Sequence, residues 1–174
     1  MVAELLNEKI VDKVVLVIAK QNPWKKHKPA DFELRCAMAQ VALAPFGDKC
    51  CVSRDEEDIE QPAYSYKVLE KIRKKYPIDK LYLVVGMDVY QRIDEWKEWQ
   101  DKIEPYYNVI AFTRQNVSIR STFNEKHKLH ISKSSCNAVS STLVRDFVKN
   151  GKIPYPMVCE GVMNIIKDNK LYTE

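Results

Sequence analysis

The sequence predicts an α/β fold, a doubly wound, Rossmann-like parallel sheet with helices on both faces, and three observations carry that prediction. Short apolar runs rich in β-branched residues recur along the chain, helical patterns separate them, and no internal repeat or low-complexity tract breaks the alternation. Strands buried on both faces of a parallel sheet read as continuous apolar runs, without in-out alternation. Strands that alternate with helices imply βαβ crossovers. With 174 residues, 45% of them hydrophobic, and only four glycines, the chain suffices for a single domain over 1–174 and is cramped for two.

In chain order, residues 1–7 read as the later turns of a helix, although no strand precedes them. The run VVLVIA at 14–19 is the first strand, and 49–52 is a weaker candidate. Two further strands lie at 81–85 and 107–112, and 129–131 is a second weak candidate. Helical patterns cover 31–44, 64–75, 95–104, 140–150 and 158–167.

The bulk properties bound the function. Lys plus Arg number 28 against 24 Asp plus Glu, a net charge of +4. That balance suits a phosphate-rich small ligand, whereas a nucleic-acid binder would carry a denser basic patch. The five cysteines lack the paired spacing of a zinc site and read as reduced cytosolic thiols. There is no leader-like start and no apolar run near the ~18 residues that span a bilayer. A soluble, cytoplasmic protein without a nucleic-acid or membrane partner is expected.

Ligands of an open parallel sheet sit beyond the carboxyl ends of its strands, so the residues after each strand are the candidates. After the first strand comes Lys20-Gln21-Asn22-Pro23-Trp24-Lys25-Lys26-His27-Lys28, a cationic loop able to hold phosphates as point charges; an isolated run of this kind more often is a solvated surface loop. Gly86-Met87-Asp88 follows the strand at 81–85. Glycine there permits close backbone approach and a carboxylate can accept from ribose hydroxyls, but Asp88 could equally cap the next helix. Trp96 and Trp99, spaced i, i+3, usually mean core packing, although either could stack on a base. The richest local feature is Ser140-Ser141-Thr142-Leu143-Val144-Arg145. Hydroxyls at a helix start, free N–H groups and an arginine one turn later favour an anion. A plain serine cap with a surface arginine explains the same residues about as well.

Taken in order, these pieces resemble the nicotinate/nicotinamide mononucleotide adenylyltransferase family of the nucleotidylyltransferase superfamily. The resemblance runs from the first residues to Tyr172, through Asn22-Pro23-Trp24-Lys25-Lys26, Arg35, Pro62-Ala63-Tyr64-Ser65-Tyr66, Gly86-Met87-Asp88, Trp96, Arg114, Ser140 to Arg145, and Leu171-Tyr172. It implies transfer of AMP from ATP to a pyridine mononucleotide with release of pyrophosphate, Mg²⁺ accompanying the ATP and no covalent intermediate. By this likeness Ser140, Ser141, Thr142 and Arg145 would hold ATP phosphates, and Gly86 and Asp88 would meet the adenosine ribose. Trp96 would stack on the pyridine ring, with Tyr64 and Ser65 lining its pocket. Lys26, His27 and Arg114 would serve the mononucleotide, and Arg35 would either anchor the loop or face phosphate. Ala63 stands where the family usually has serine, and Gln115 where proline is common. The loop and the Tyr64 motif favour the nicotinate branch over nicotinamide.

One family feature has no counterpart. The family's first strand, central in the sheet, ends in a His-x-Gly-His motif, but the three histidines here, His27, His127 and His130, lack that spacing. No catalytic residue is therefore assigned. Loss of a central strand would leave strand edges unpaired, so the strand is expected from an upstream segment of a longer gene, from another polypeptide or through a homo-oligomer. Two alternatives stand beside the enzyme: a nucleotide-binding or regulatory relative without catalysis, and adenylyl or cytidylyl transfer to another phosphorylated acceptor, as in pantetheine-phosphate or glycerol-phosphate relatives. Trp96 and Tyr64-Ser65 favour the pyridine acceptor.

Overall fold

The computed structural model describes residues 1–21, 29–77, 80–113, 127–130 and 139–173, with the backbone alone at 128–130. In chain order the elements are α1 (Val2–Asn7), β1 (Val14–Val17), α2 (Phe32–Leu43), a 3₁₀ segment (Ala44–Lys49), β2 (Cys50–Ser53), α3 (Ser65–Lys75), β3 (Tyr82–Gly86) and the short α4 (Met87–Tyr90). A 3₁₀ turn (Ile93–Glu95), a π turn (Trp99–Ile103), β4 (Asn108–Phe112), β5 (His127–His130), α5 (Ser141–Lys149) and α6 (Glu160–Asp168) complete them. The five predicted strands are all present, each within two residues of its expected start. The chain forms two compact units, Asp58–Asn137 with Met1, and Val2–Glu57 with Ala138–Glu174.

In the second of these units β1 and β2 pair in parallel, Val14 opposite Cys50 through Val17 opposite Ser53. The Ile18 amide adds one more bond, to the Ser53 carbonyl at 3.0 Å. Asp31 caps α2, its Oδ1 accepting from the Glu33 and Leu34 amides, which is why the helix starts where the sequence placed it. Val162, Met163 and Ile166 of α6 are buried, with Met38, Val148, Val158, Leu171 and Tyr172 packed against them. Gly151, at φ +67°, ends α5; its amide donates to the Val148 carbonyl and that of Lys152 to the Phe147 carbonyl, the paired bonds that a left-handed residue makes possible after a helix.

Close packing of α6 on α2 fixes one position sharply. A Cβ at Gly161 would lie 2.5 Å from Val41 Cγ1. Gly161→Ala is expected to destabilise by about 1–3 kcal/mol through overpacking, despite alanine's better helix propensity. The double substitution with Val41→Ala should recover most of that loss. Urea denaturation of the two variants checks it, and an additive double variant would contradict the contact.

In the unit Asp58–Asn137, β4 lies between β3 and β5, all parallel, with Tyr82 opposite Asn108 and Val109 opposite His127. As the middle strand, β4 is buried from Val109 to Phe112. Its Val109 and Ala111 join Val85, Met87, Tyr90, Ile93, Trp99, Ile103 and Tyr107 in one core, against which Tyr66, Leu69, Leu81, Leu83 and Trp96 pack. The last turn of α3 carries Arg73, Lys74 and Lys75, cations placed favourably at the negative end of its dipole.

Two expectations change. The helix expected over 95–104 is absent. The 3₁₀ turn ends at Trp96, Glu98 takes a left-handed φ of +57°, and the π turn closes with the Glu104 amide on the Trp99 carbonyl at 2.8 Å. Burial of Ile93, Trp99 and Ile103 decides the path here, overriding a helical period. Second, the strands form two ladders, β1-β2 and β3-β4-β5. Two of the apolar runs expected inside a sheet thus lie at ladder edges: Leu16 of β1 is exposed, and of β3 only Val85 is buried.

Candidate functional site

In the unit Asp58–Asn137, the expected ligand residues border the core just described. Gly86 ends β3 and caps α4 with ordinary extended backbone, φ −75°. Asp88 is exposed in the first turn of α4 and so does not cap it. Met87 between them is fully buried in the core, which leaves Gly86 and Asp88 at the surface of that core, at a strand's carboxyl end. Trp96 is half-buried against the same core, while Trp99 is 4% exposed within it. The two tryptophans therefore do not share a helix face, and only Trp96 retains accessible ring surface.

Tyr64 caps α3 without a side-chain hydrogen bond, and Ser65 is the first residue of that helix. The rings of Tyr64 and Tyr66 are stacked, 6.3 Å apart and 10° from parallel. Lys102 Nζ sits 4.6 Å above the Tyr66 ring, a cation on an aromatic face. Tyr66 and Trp96 thus rest on one core, and Tyr64 and Ser65 adjoin Tyr66.

In the other unit α5 carries the second group. Ser140 is its cap, Oγ accepting from the Leu143 amide at 3.1 Å. The Ser141 and Thr142 amides precede any intrahelical acceptor, so the first turn presents donors and the positive end of a dipole. Arg145 Nη2 donates to Thr142 Oγ1 at 3.3 Å, and its guanidinium lies 5.9 Å from the Tyr172 ring. The hydrogen bond and the ring contact hold Arg145 along the first turns of α5, beside the serine cap.

Arg35 spends its guanidinium on backbone. Nε donates to the Ala30 carbonyl at 2.8 Å, Nη2 to Lys20 at 3.1 Å and Nη1 to Ala19. Arg35 and Arg54 lie over the same Phe32 ring, at 5.4 and 5.2 Å. Arg54 is paired with Glu33 and Glu57, and its hydrogen bond to Glu33 holds that carboxyl below the usual range.

Sequence reasoning missed the turn after β2. Ser53 and Asp55 are buried and bonded, Oγ to Oδ2 at 2.5 Å, and Glu56 is 7% exposed. Glu56 Oε1 accepts from the Lys20 amide at 2.8 Å. Burial pushes its carboxyl above the ordinary range, although the Lys20 and Gln21 amides pull the other way. A Ser-x-Asp-Glu run directly after a strand was the signal available.

Burial also raises the thiols of Cys36 and Cys50, which keeps them protonated and poor nucleophiles. Among the described residues no three His, Cys, Asp or Glu side chains group as a metal cage, and no helix is long and apolar enough to cross a membrane. Lys26, His27 and Arg114 lie outside the described residues.

The cytidylyltransferase-like family model matches residues 1–147. A probable nicotinate-nucleotide adenylyltransferase of Borrelia garinii subsp. bavariensis is 30% identical over 167 residues, which cover 94% of this chain and 81% of that protein. One from Flavobacterium johnsoniae is 27% identical over 167 residues, 93% and 84% of the two chains. Among solved structures, Plasmodium falciparum nicotinic acid mononucleotide adenylyltransferase, complexed with NaAD, superposes with a TM-score of 0.76 at 19% identity, covering 99% of this chain and 90% of that one. That likeness shows the Rossmann-like nucleotidyltransferase fold.

Proposed function

We propose that this chain, which belongs to the cytidylyltransferase-like family and within it to the nicotinate-nucleotide adenylyltransferases, transfers the adenylyl group of ATP to nicotinate mononucleotide and releases pyrophosphate, a step of NAD biosynthesis. The observation that carries the reading is the first turn of α5, with Ser140 as cap, two free-ended amides and Arg145 held alongside. The mononucleotide phosphate attacks the α-phosphorus in line, so positioning and neutralisation of the departing pyrophosphate supply the catalysis. Ser141, Thr142 and Arg145 meet the ATP phosphates, Gly86 and Asp88 the adenosine ribose, Trp96 the pyridine ring, and Tyr64 and Ser65 its surroundings. Lys26, His27 and Arg114 are assigned to the mononucleotide. Mg²⁺, carried in with the ATP substrate, would draw charge from the phosphates.

Because the family match runs continuously over 1–147, the span 1–174 is read as one functional domain. The free thiols of Cys36, Cys50 and Cys159 fit a reducing cytoplasm. Among the described strands, the ladder edges at β1 and β3 each suit one more parallel strand, supplied by a second polypeptide or by a further copy of the chain.

A second reading is nucleotide binding without turnover. It is favoured by His127, which is buried at 9% exposure with Nδ1 2.5 Å from Tyr90 Oη and so does not reach out to a ligand. Incubation with ATP, Mg²⁺ and either mononucleotide, followed by pyrophosphate assay, separates the two. Release that depends on nicotinate mononucleotide is expected; saturable binding with no release would establish the second reading.

A further inference from the structure

The short turn that carries Asp88 has little of its own to hold it. α4 is four residues long, with the Gln91 amide on the Met87 carbonyl at 3.0 Å and a glycine, which has no side chain to offer, at its cap. A single turn costs more chain entropy than its bonds return, so its place depends on what lies beneath it. Met87 and Tyr90, spaced i, i+3, share the inward face and are 0% and 2% exposed, while Asp88 and Val89 between them are turned to solvent.

Burial of Met87 is apolar and has no preferred direction. Tyr90 supplies one. Its Oη lies 2.5 Å from His127 Nδ1, a hydrogen bond, and the two rings meet edge to face at 81° and 5.4 Å. His127 is itself fixed. Its backbone stands opposite Val109, which is fully buried in the middle strand β4, and the Trp99 ring meets it edge-on at 5.7 Å. A polar pair in an apolar core need add no stability over apolar side chains of the same shape. What it adds is one permitted orientation, because a hydrogen bond weakens steeply away from its preferred geometry.

We propose that Tyr90 and His127 act as a positioning pair that fixes the rotation of α4 about its axis, and thereby sets how well Asp88 holds the adenosine ribose of ATP without touching the nucleotide. This rests on the adenylyl-transfer reading, in which Asp88 accepts from the ribose hydroxyls. A phenylalanine at 90 keeps the ring and its packing but loses the hydroxyl. At 127, asparagine carries an amide at about the reach of Nδ1 and can still bond Tyr90, whereas leucine cannot.

The test uses the full chain with Tyr90→Phe, His127→Leu and His127→Asn. Hydrogen exchange of the Gln91 amide, followed by NMR, reports whether the turn is closed, and calorimetry measures ATP and nicotinate mononucleotide separately. Tyr90→Phe and His127→Leu should exchange this amide about tenfold faster and bind ATP about tenfold more weakly, each the effect of one hydrogen bond. Mononucleotide affinity should stay within about twofold. His127→Asn should keep most of the ATP affinity even where its smaller side chain lowers the melting temperature, a separation that a merely structural role would not produce. Unchanged ATP affinity in Tyr90→Phe would overturn the pair, as would equal losses for the two nucleotides or a His127→Asn protein as weak as His127→Leu. If wild-type protein binds no ATP, the transfer reading fails and the affinity role with it, whereas wild-type exchange of Gln91 in Tyr90→Phe, beside normal ATP binding by the parent, overturns the pair alone.

Discussion

Trp99→Ala is expected to remove about 3–5 kcal/mol of stability, the usual cost of emptying a buried aromatic site, while Trp96→Ala removes far less and weakens mononucleotide binding. The two residues lie three apart in sequence, yet their surroundings differ. Trp99 is 4% exposed among Tyr90, Ile103, Tyr107 and Val109, and its ring meets His127 edge-on at 5.7 Å. Truncation therefore leaves a void beneath the middle strand and strips one wall from the Tyr90–His127 pair. Trp96 packs on the edge of that core with part of its ring in solvent. Thermal denaturation of both variants, with calorimetric titration of nicotinate mononucleotide, checks the division. Equal losses of stability, or unchanged binding by Trp96→Ala, would remove Trp96 from the proposed pyridine pocket.

Arg145→Ala should lower kcat by about 10²–10³-fold, the magnitude of removing one preorganised donor from developing negative charge. Its hydrogen bond to Thr142 and its place over Tyr172 orient the guanidinium before any ligand arrives, so little reorganisation is needed at the moment of transfer. Stability should fall only modestly, because the group is half-exposed and Ser140 still caps the helix. Arg145→Lys restores charge without the planar fork and should recover only part of the rate. Pyrophosphate release at saturating ATP and mononucleotide measures both variants. An undiminished kcat in Arg145→Ala would take Arg145 out of the phosphate site.

How much of this was legible beforehand depended on whether the signal was local. Apolar runs marked the strands near 14, 81 and 107 clearly and those near 49 and 129 weakly, and among the described residues only in β4 does burial along the strand account for the apolar run. Ser140 marked a helix start through a hydroxyl cap that acts within three residues. The segment 95–104 misled because its helical period competed with the burial of Ile93, Trp99 and Ile103, which only the folded core defines. Glu56 was missed for a similar reason. The Ser-x-Asp-Glu run after the strand was a local signal, but its amide partner Lys20 is 36 positions away. For Arg35 the sequence left two roles open, and its three carbonyl partners are set by contacts 5, 16 and 15 positions away.

The way the two compact units are threaded bears on synthesis. The unit Asp58–Asn137 is, apart from Met1, one uninterrupted stretch, whereas the other is assembled from Val2–Glu57 and Ala138–Glu174. On a ribosome adding about 5–20 residues per second, the stretch that begins later has all its strands and core partners available first. The opening segment must wait, with α2 lacking the apolar cover that Val162, Met163 and Ile166 of α6 bring. Chains that stop before α6 would therefore present that uncovered helix to chaperones and proteases, and the emergence of α6 decides when α2 is covered.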